Sequence, residues 1–148
     1  MTALTDPLDV HGTPLHSTAV TEEFACWAAG LPGGGTVSIL IEPPAAPTDE
    51  AVETAAGVIA DFAALAEAAA VYLVAELAAP EWGLDAADLG RLSTAAFDMP
   101  EAVVWEDGTW MLRFADCDLQ VGADYGIGVN FVGTQPVGVE DLSDADEP

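Results

Sequence analysis

The sequence predicts an α+β domain: a mostly antiparallel sheet with one long helix packed across a face and a short second helix. Three observations carry this. A β-branched run, "TVSILIE", sits near residue 40. A helical apolar period runs over 49–79. An Asp-Gly pair between alternating segments marks a hairpin in the last third. The 148 residues fit one domain, 51% of them are hydrophobic and the mean hydropathy is +0.33, which implies a packed core rather than a disordered acidic chain.

The elements follow in order. Residues 1–20 carry Pro7, Gly12 and Pro14 and read as an irregular arm or a short edge strand. "TEEFACWAAG" (21–30) reads as a short helix, with Thr21 as cap, Glu22 and Glu23 at the positive end of the dipole and Gly30 as the stop. "LPGGG" is a turn and not a phosphate loop, because no G-K-[ST] follows. Residues 36–42 form a strand that "PPAAP" ends.

Thr48 or Asp49 caps the long helix, and Asp49, Glu50 and Glu53 occupy its first turn. Val52, Ile59, Phe62, Ala66, Leu73 and Leu77 form its stripe, which Val58, Leu65 and Tyr72 widen past half the circumference. A helix that apolar must be covered on more than one side. Gly57 is a point of bending and Pro80 the end. Residues 84–92 form the short helix, capped by Asp85.

In "AVVWEDGTWMLRF", Trp110, Leu112 and Phe114 share one face, while Trp105 and Trp110 flank the turn as a cross-strand pair. "YGIGVNF" puts Ile127, Val129 and Phe131 on one face, a short final strand follows, and the tail 143–148 frays. Residues 1–148 thus read as a single domain.

Charge sets the function classes. There are 26 acidic residues against two arginines, Arg91 and Arg113, and the net charge is −24. Such a surface repels nucleic acid and anionic membranes and attracts basic proteins. The most apolar run, 63–79, is mostly alanine and includes Glu67 and Glu76, so no membrane span is expected. The N-terminus has no basic segment followed by an apolar one, so a cytoplasmic protein with Cys26 and Cys117 as free thiols is expected.

Chemistry-bearing motifs are few. Asp116, Asp118 and Asp124 lack the full spacing and the late glutamate of a calcium loop, and read as strand-end aspartates. His11 and His16 have no complete zinc set beside them. No local motif pairs a nucleophile with a base. Gly126-Ile127-Gly128 lacks the third glycine and the following helix of a dinucleotide site. The expectation is a non-catalytic protein with no metal and no cofactor.

The strand, the Ala/Leu-rich helix, the short helix and the segment from Val103 to Ser143 resemble small bacterial domains of the DUF2262/DUF2004 type. The resemblance covers roughly residues 36–143. It rests on the "D…GI.V" stretch from Asp124 to Val129 and the acidic turn at Glu140-Asp141. It implies a protein of the immunity type, which neutralises a toxin in bacterial competition, and it implies no catalytic residues.

An immunity- or antitoxin-like inhibitor of a basic toxin or nuclease is therefore the expected function. The partner-binding residues are Trp105, Glu106, Asp107, Asp116, Asp118, Asp124, Tyr125, Glu140 and Asp141. The acids would pair with cations, and Trp105 or Tyr125 would supply the apolar contact. Two alternatives use the same surface: a secretion-type chaperone for an effector protein, and a DNA mimic. An obligate homodimer would favour the chaperone and a monomer the inhibitor.

Overall fold

A computed structural model of the chain describes residues 7–31, 34–119 and 126–141. The described residues form eight strands in one mixed sheet whose spatial order equals chain order: β1 (Leu8–Val10), β2 (Thr13–Val20), β3 (Ala25–Gly30), β4 (Thr36–Ile41), β5 (Phe97–Trp105), β6 (Trp110–Cys117), β7 (Ile127–Val132) and β8 (Gln135–Asp141). Three helices accompany it: α1 (Asp49–Ala60), α2 (Phe62–Leu77) and α3 (Ala86–Arg91).

This corrects the expected architecture. The sheet is mixed, because β4 and β5 run parallel with Thr36 beside Glu101 and Leu40 beside Trp105. Among the described residues strand exceeds helix, 41% against 32%, so the sheet dominates the core. The single long helix is two helices. Asp61 separates them with φ −119° and ψ 25°, and its N–H still bonds to the Gly57 carbonyl.

The sheet also begins earlier than expected. Of the two readings of 1–20, the extended one holds and the irregular arm does not: β1 stands at the end of the sheet order and forms a hairpin with β2, turned by His11 (φ 48°) and Gly12 (φ 96°). Two positive φ values in a two-residue loop match the right-handed strand twist. Asp9 accepts the Gly12 N–H at 3.1 Å, and Pro14 lies in β2 opposite Asp9.

The supposed helix 21–30 is a turn and a strand. Thr21 does cap, accepting from the N–H groups of Glu23 and Phe24, but what it caps is a turn closed by Thr21 N–H to the Phe24 carbonyl. Beyond it, Ala25 and Trp27 are buried while Cys26 and Ala28 are half-buried, a period of two. β3 lies between β2 and β4, and pairing on both sides outweighs the helix preference of its alanines.

Residues up to 62 with 101–110 form one compact unit, and 63–100 with 111–148 a second. In the first, Val37, Ile39 and Ile41 alternate inward along β4, and α1 packs on β1 and β4. The buried residues of α1, Ala51, Ala55 and Val58, form a stripe of small side chains that permits close approach. In the second, Leu65, Ala69, Leu73 and Leu77 of α2 are buried. Ile127, Val129 and Phe131 are buried as expected, and Phe97 and Phe114 meet with ring centroids 5.6 Å apart. Asp85 caps α3, accepting the Asp88 N–H at 2.8 Å.

Among the described residues, no single helix is long and apolar enough to cross a membrane.

Candidate functional site

The site is built at the turn of the β5–β6 hairpin, residues 105–109, which lies in the first unit. Trp105 N–H donates to the Thr109 carbonyl at 2.9 Å, and Gly108 N–H donates to the Trp105 carbonyl at 3.0 Å. The loop is thus three residues, Glu106-Asp107-Gly108, with Gly108 at φ 83°. Such a loop carries a bulge at its glycine. Trp105 therefore stands opposite Thr109, and the expected Trp105–Trp110 cross-strand pair does not form. Trp110 is 1% exposed, whereas Trp105 is half-buried at the surface. The extra loop residue shifts the register by one and sends the two indoles to opposite faces.

The N-terminal end of α1 holds this loop. Thr48 Oγ1 accepts the Ala51 N–H at 3.1 Å, which caps the helix, and also donates to the Glu106 carbonyl at 2.6 Å. Six residues further, Thr54 Oγ1 donates to the Gly108 carbonyl at 3.2 Å. A Cβ at Gly108 would stand 3.2 Å from that same hydroxyl, so glycine serves both the positive φ and the close approach.

Asp107 accepts from Thr109 Oγ1 at 2.6 Å and from Thr109 N–H at 3.0 Å. The Thr109 hydroxyl, and then its N–H, hold the Asp107 carboxyl below its ordinary range. The pKa is lower folded than unfolded. The contribution to stability is therefore present above the unfolded value and is lost as pH falls through the folded one. The stability gap between the natural chain and Asp107→Ala is expected to narrow from pH 7 to pH 3 in thermal melts. An unchanged gap would mean that the carboxylate charge plays no part in the loop.

Leu40, Glu42, Trp105, Glu106, Asp107 and Thr109 line one open depression of about 360 Å³. Leu40 and Trp105 are neighbours on parallel strands and give it an apolar floor. Glu42, Glu106 and Asp107 are exposed around it. An apolar floor with an acidic rim suits a lysine or arginine side chain, whose stem can lie on the indole while its head meets carboxylates.

The structure thus brings Trp105, Glu106 and Asp107 together. Leu40 and Glu42 were not singled out from the sequence, because only the β4–β5 pairing carries them there. The other expected residues lie in the second unit. Asp116 is exposed on β6, and Asp118 is exposed just beyond it, with its N–H bonded to the Ala96 carbonyl at 2.9 Å. Glu140 is exposed on β8 and accepts from Asn130 Nδ2 at 3.1 Å. Asp141 ends β8. Asp124 and Tyr125 lie outside the described residues.

Among the described residues, no three of histidine, cysteine, aspartate and glutamate gather as a metal site. His11 Nε2 lies 3.3 Å from Glu53 Oε1 at an exposed position. Asp88, 4% exposed, meets Arg91 Nη1 at 2.9 Å, so one of the two cations serves α3. Neither Cys26 nor Cys117 is in a disulfide.

Fold and site together define a class: a small, strongly acidic, sheet-dominated α+β protein with an aromatic, acid-rimmed surface depression. No protein-family model, no curated protein and no solved structure matches the chain.

Proposed function

We propose that the chain is a non-catalytic acidic binding protein of the immunity or antitoxin type, acting in the cytoplasm on a basic toxin or nuclease. Kinship with the DUF2262/DUF2004-type domains is part of this proposal. The observation that supports it is the Trp105 depression, where an apolar floor lies inside a rim of Glu42, Glu106 and Asp107. The net charge of −24 supports it from a distance, by speeding encounter with a positive partner. A buried aromatic contact then slows release while the rim sets orientation.

The test is capture of partners from a host lysate at low and at moderate salt, followed by affinities with the purified partner. One basic protein should be held at low salt and released as salt rises. Trp105→Ala should weaken its binding about 30-fold or more, the loss of an interface anchor. Glu106→Gln with Asp107→Asn should lower the association rate and flatten its salt dependence. The reading fails if no protein is enriched at either salt, or if these substitutions leave affinity unchanged.

A further inference from the structure

The second unit carries a groove along its last strand. Tyr72 and Glu76 of α2, Glu81 and Trp82 of the 3-10 turn Pro80–Trp82, and Val137, Gly138 and Val139 of β8 line an open depression of about 450 Å³. Tyr72 and Glu76 are one helical turn apart and so share a helix face. Burial, and then the Glu76 carboxylate, raise the Tyr72 phenol above its ordinary range, which agrees with that carboxylate facing the ring.

β8 is also an edge. Among the described residues the strand order ends with it, and its pairing is with β7. Pro136 lies within it, a residue that sheets admit at edges. Val137 is 56% exposed, and a Cβ at Gly138 would meet nothing within 4 Å. An edge strand presents unpaired backbone groups on its outer side, ready to accept another strand.

We infer that the groove beside β8 binds an extended basic peptide segment, which adds to the sheet as a further strand next to β8. Backbone bonds to β8 would supply affinity, as in other cases of strand addition. The residues around the groove select the side chains. Tyr72 and Trp82 offer ring faces for a lysine or arginine, and Glu76 and Glu81 offer counter-charges. Charge decides between occupants. A second copy of this chain would bring 26 acidic residues against two arginines to an edge that already bears glutamates. A basic segment relieves that charge. This site uses residues of the second unit and does not depend on the Trp105 depression or on the toxin-inhibitor reading.

The experiment titrates the ¹⁵N-labelled full chain with the acetylated, amidated heptapeptide Lys-Val-Lys-Val-Lys-Val-Lys at low salt. Saturable shifts are expected at the β8 amides and at the Trp82 indole N–H, which Trp82→Phe assigns by its loss. The same peptide, N-methylated at alternate backbone positions, keeps its charge but loses strand bonds. It should bind about tenfold or more weakly. Trp82→Ala, and separately Glu76→Gln with Glu81→Gln, should each weaken binding about fivefold or more, with folding verified by unchanged circular dichroism. Equal binding of the methylated peptide would reduce the effect to diffuse charge attraction and overturn the inference. So would shifts centred on the Trp105 indole. So would β8 shifts that follow protein concentration without peptide, since a second copy would then fill the edge.

Discussion

Replacing Gly126 by alanine is expected to destabilise the protein by about 3–5 kcal/mol, the sum of backbone strain and overpacking. Gly126 has φ 79°, a region that L side chains enter at a cost. It sits just before β7, against β6. A Cβ there would lie 2.2 Å from the Phe114 carbonyl oxygen and 3.0 Å from Ala115 Cα. Both are backbone atoms of a strand, so neither can swing away as a side chain would. Gly133 provides the comparison. It too has a positive φ, 60°, but its Cβ would meet nothing within 4 Å. Gly133→Ala should therefore cost only about 1–2 kcal/mol, the conformational part alone. Urea unfolding followed by tryptophan fluorescence measures both. Equal losses would show that the approach to Phe114 does not limit the position.

Trp27→Ala is expected to cost about 3–5 kcal/mol, the range for truncating a buried tryptophan. Trp27 is fully buried on β3, beside Ser17 of β2 and Ile39 of β4. Truncation leaves a cavity that β-strands held on both sides cannot readily close. Trp27→Phe keeps most of the apolar volume and should lose a smaller share. The pair also tests the secondary structure. On a short exposed helix over 21–30, the indole would lie at a surface and its loss would cost little. A drop under about 1 kcal/mol, the usual size for surface positions, would contradict the strand assignment.

Misreading residues 1–30 has a definite physical origin. In "TEEFACWAAG" a helix and a strand are both consistent with the composition, because alanine favours a helix while Phe24 and Trp27 favour a strand, and such preferences are each below about 1 kcal/mol. The acidic pair after Thr21 resembled a helix start. Thr21 does accept N–H groups as a cap would, yet the chain turns and extends. What settles it is pairing with β2 and β4, and partners distant in sequence leave no mark in a ten-residue window. Residues 1–20 allow an edge strand as well as an arm, but the β1–β2 turn is weakly marked for a related reason. His11-Gly12 is a less common pair than Asn-Gly for a turn that needs two positive φ values.

The site shows the same division. Trp105, Glu106 and Asp107 were legible because an Asp-Gly turn between alternating segments is a local signal. The face on which Trp105 stands was not, because the choice between a two- and a three-residue loop depends on Thr48 and Thr54 of α1 gripping the turn carbonyls. Leu40 and Glu42 reach the depression through a parallel pairing across some sixty residues of chain.

By itself, the sequence determined the charge, the strands near 40 and from about 102 onward, a cap at Thr48 or Asp49 and one at Asp85, and the shared face of Ile127, Val129 and Phe131. Each rests on composition or on contacts within a few residues. Tertiary structure alone decided the parallel β4–β5 pair, the strand state of 21–30, the break at Asp61 and the acid-rimmed floor at Trp105. These depend on which distant backbones share hydrogen bonds, and that free energy is gained only once the chain has closed on itself.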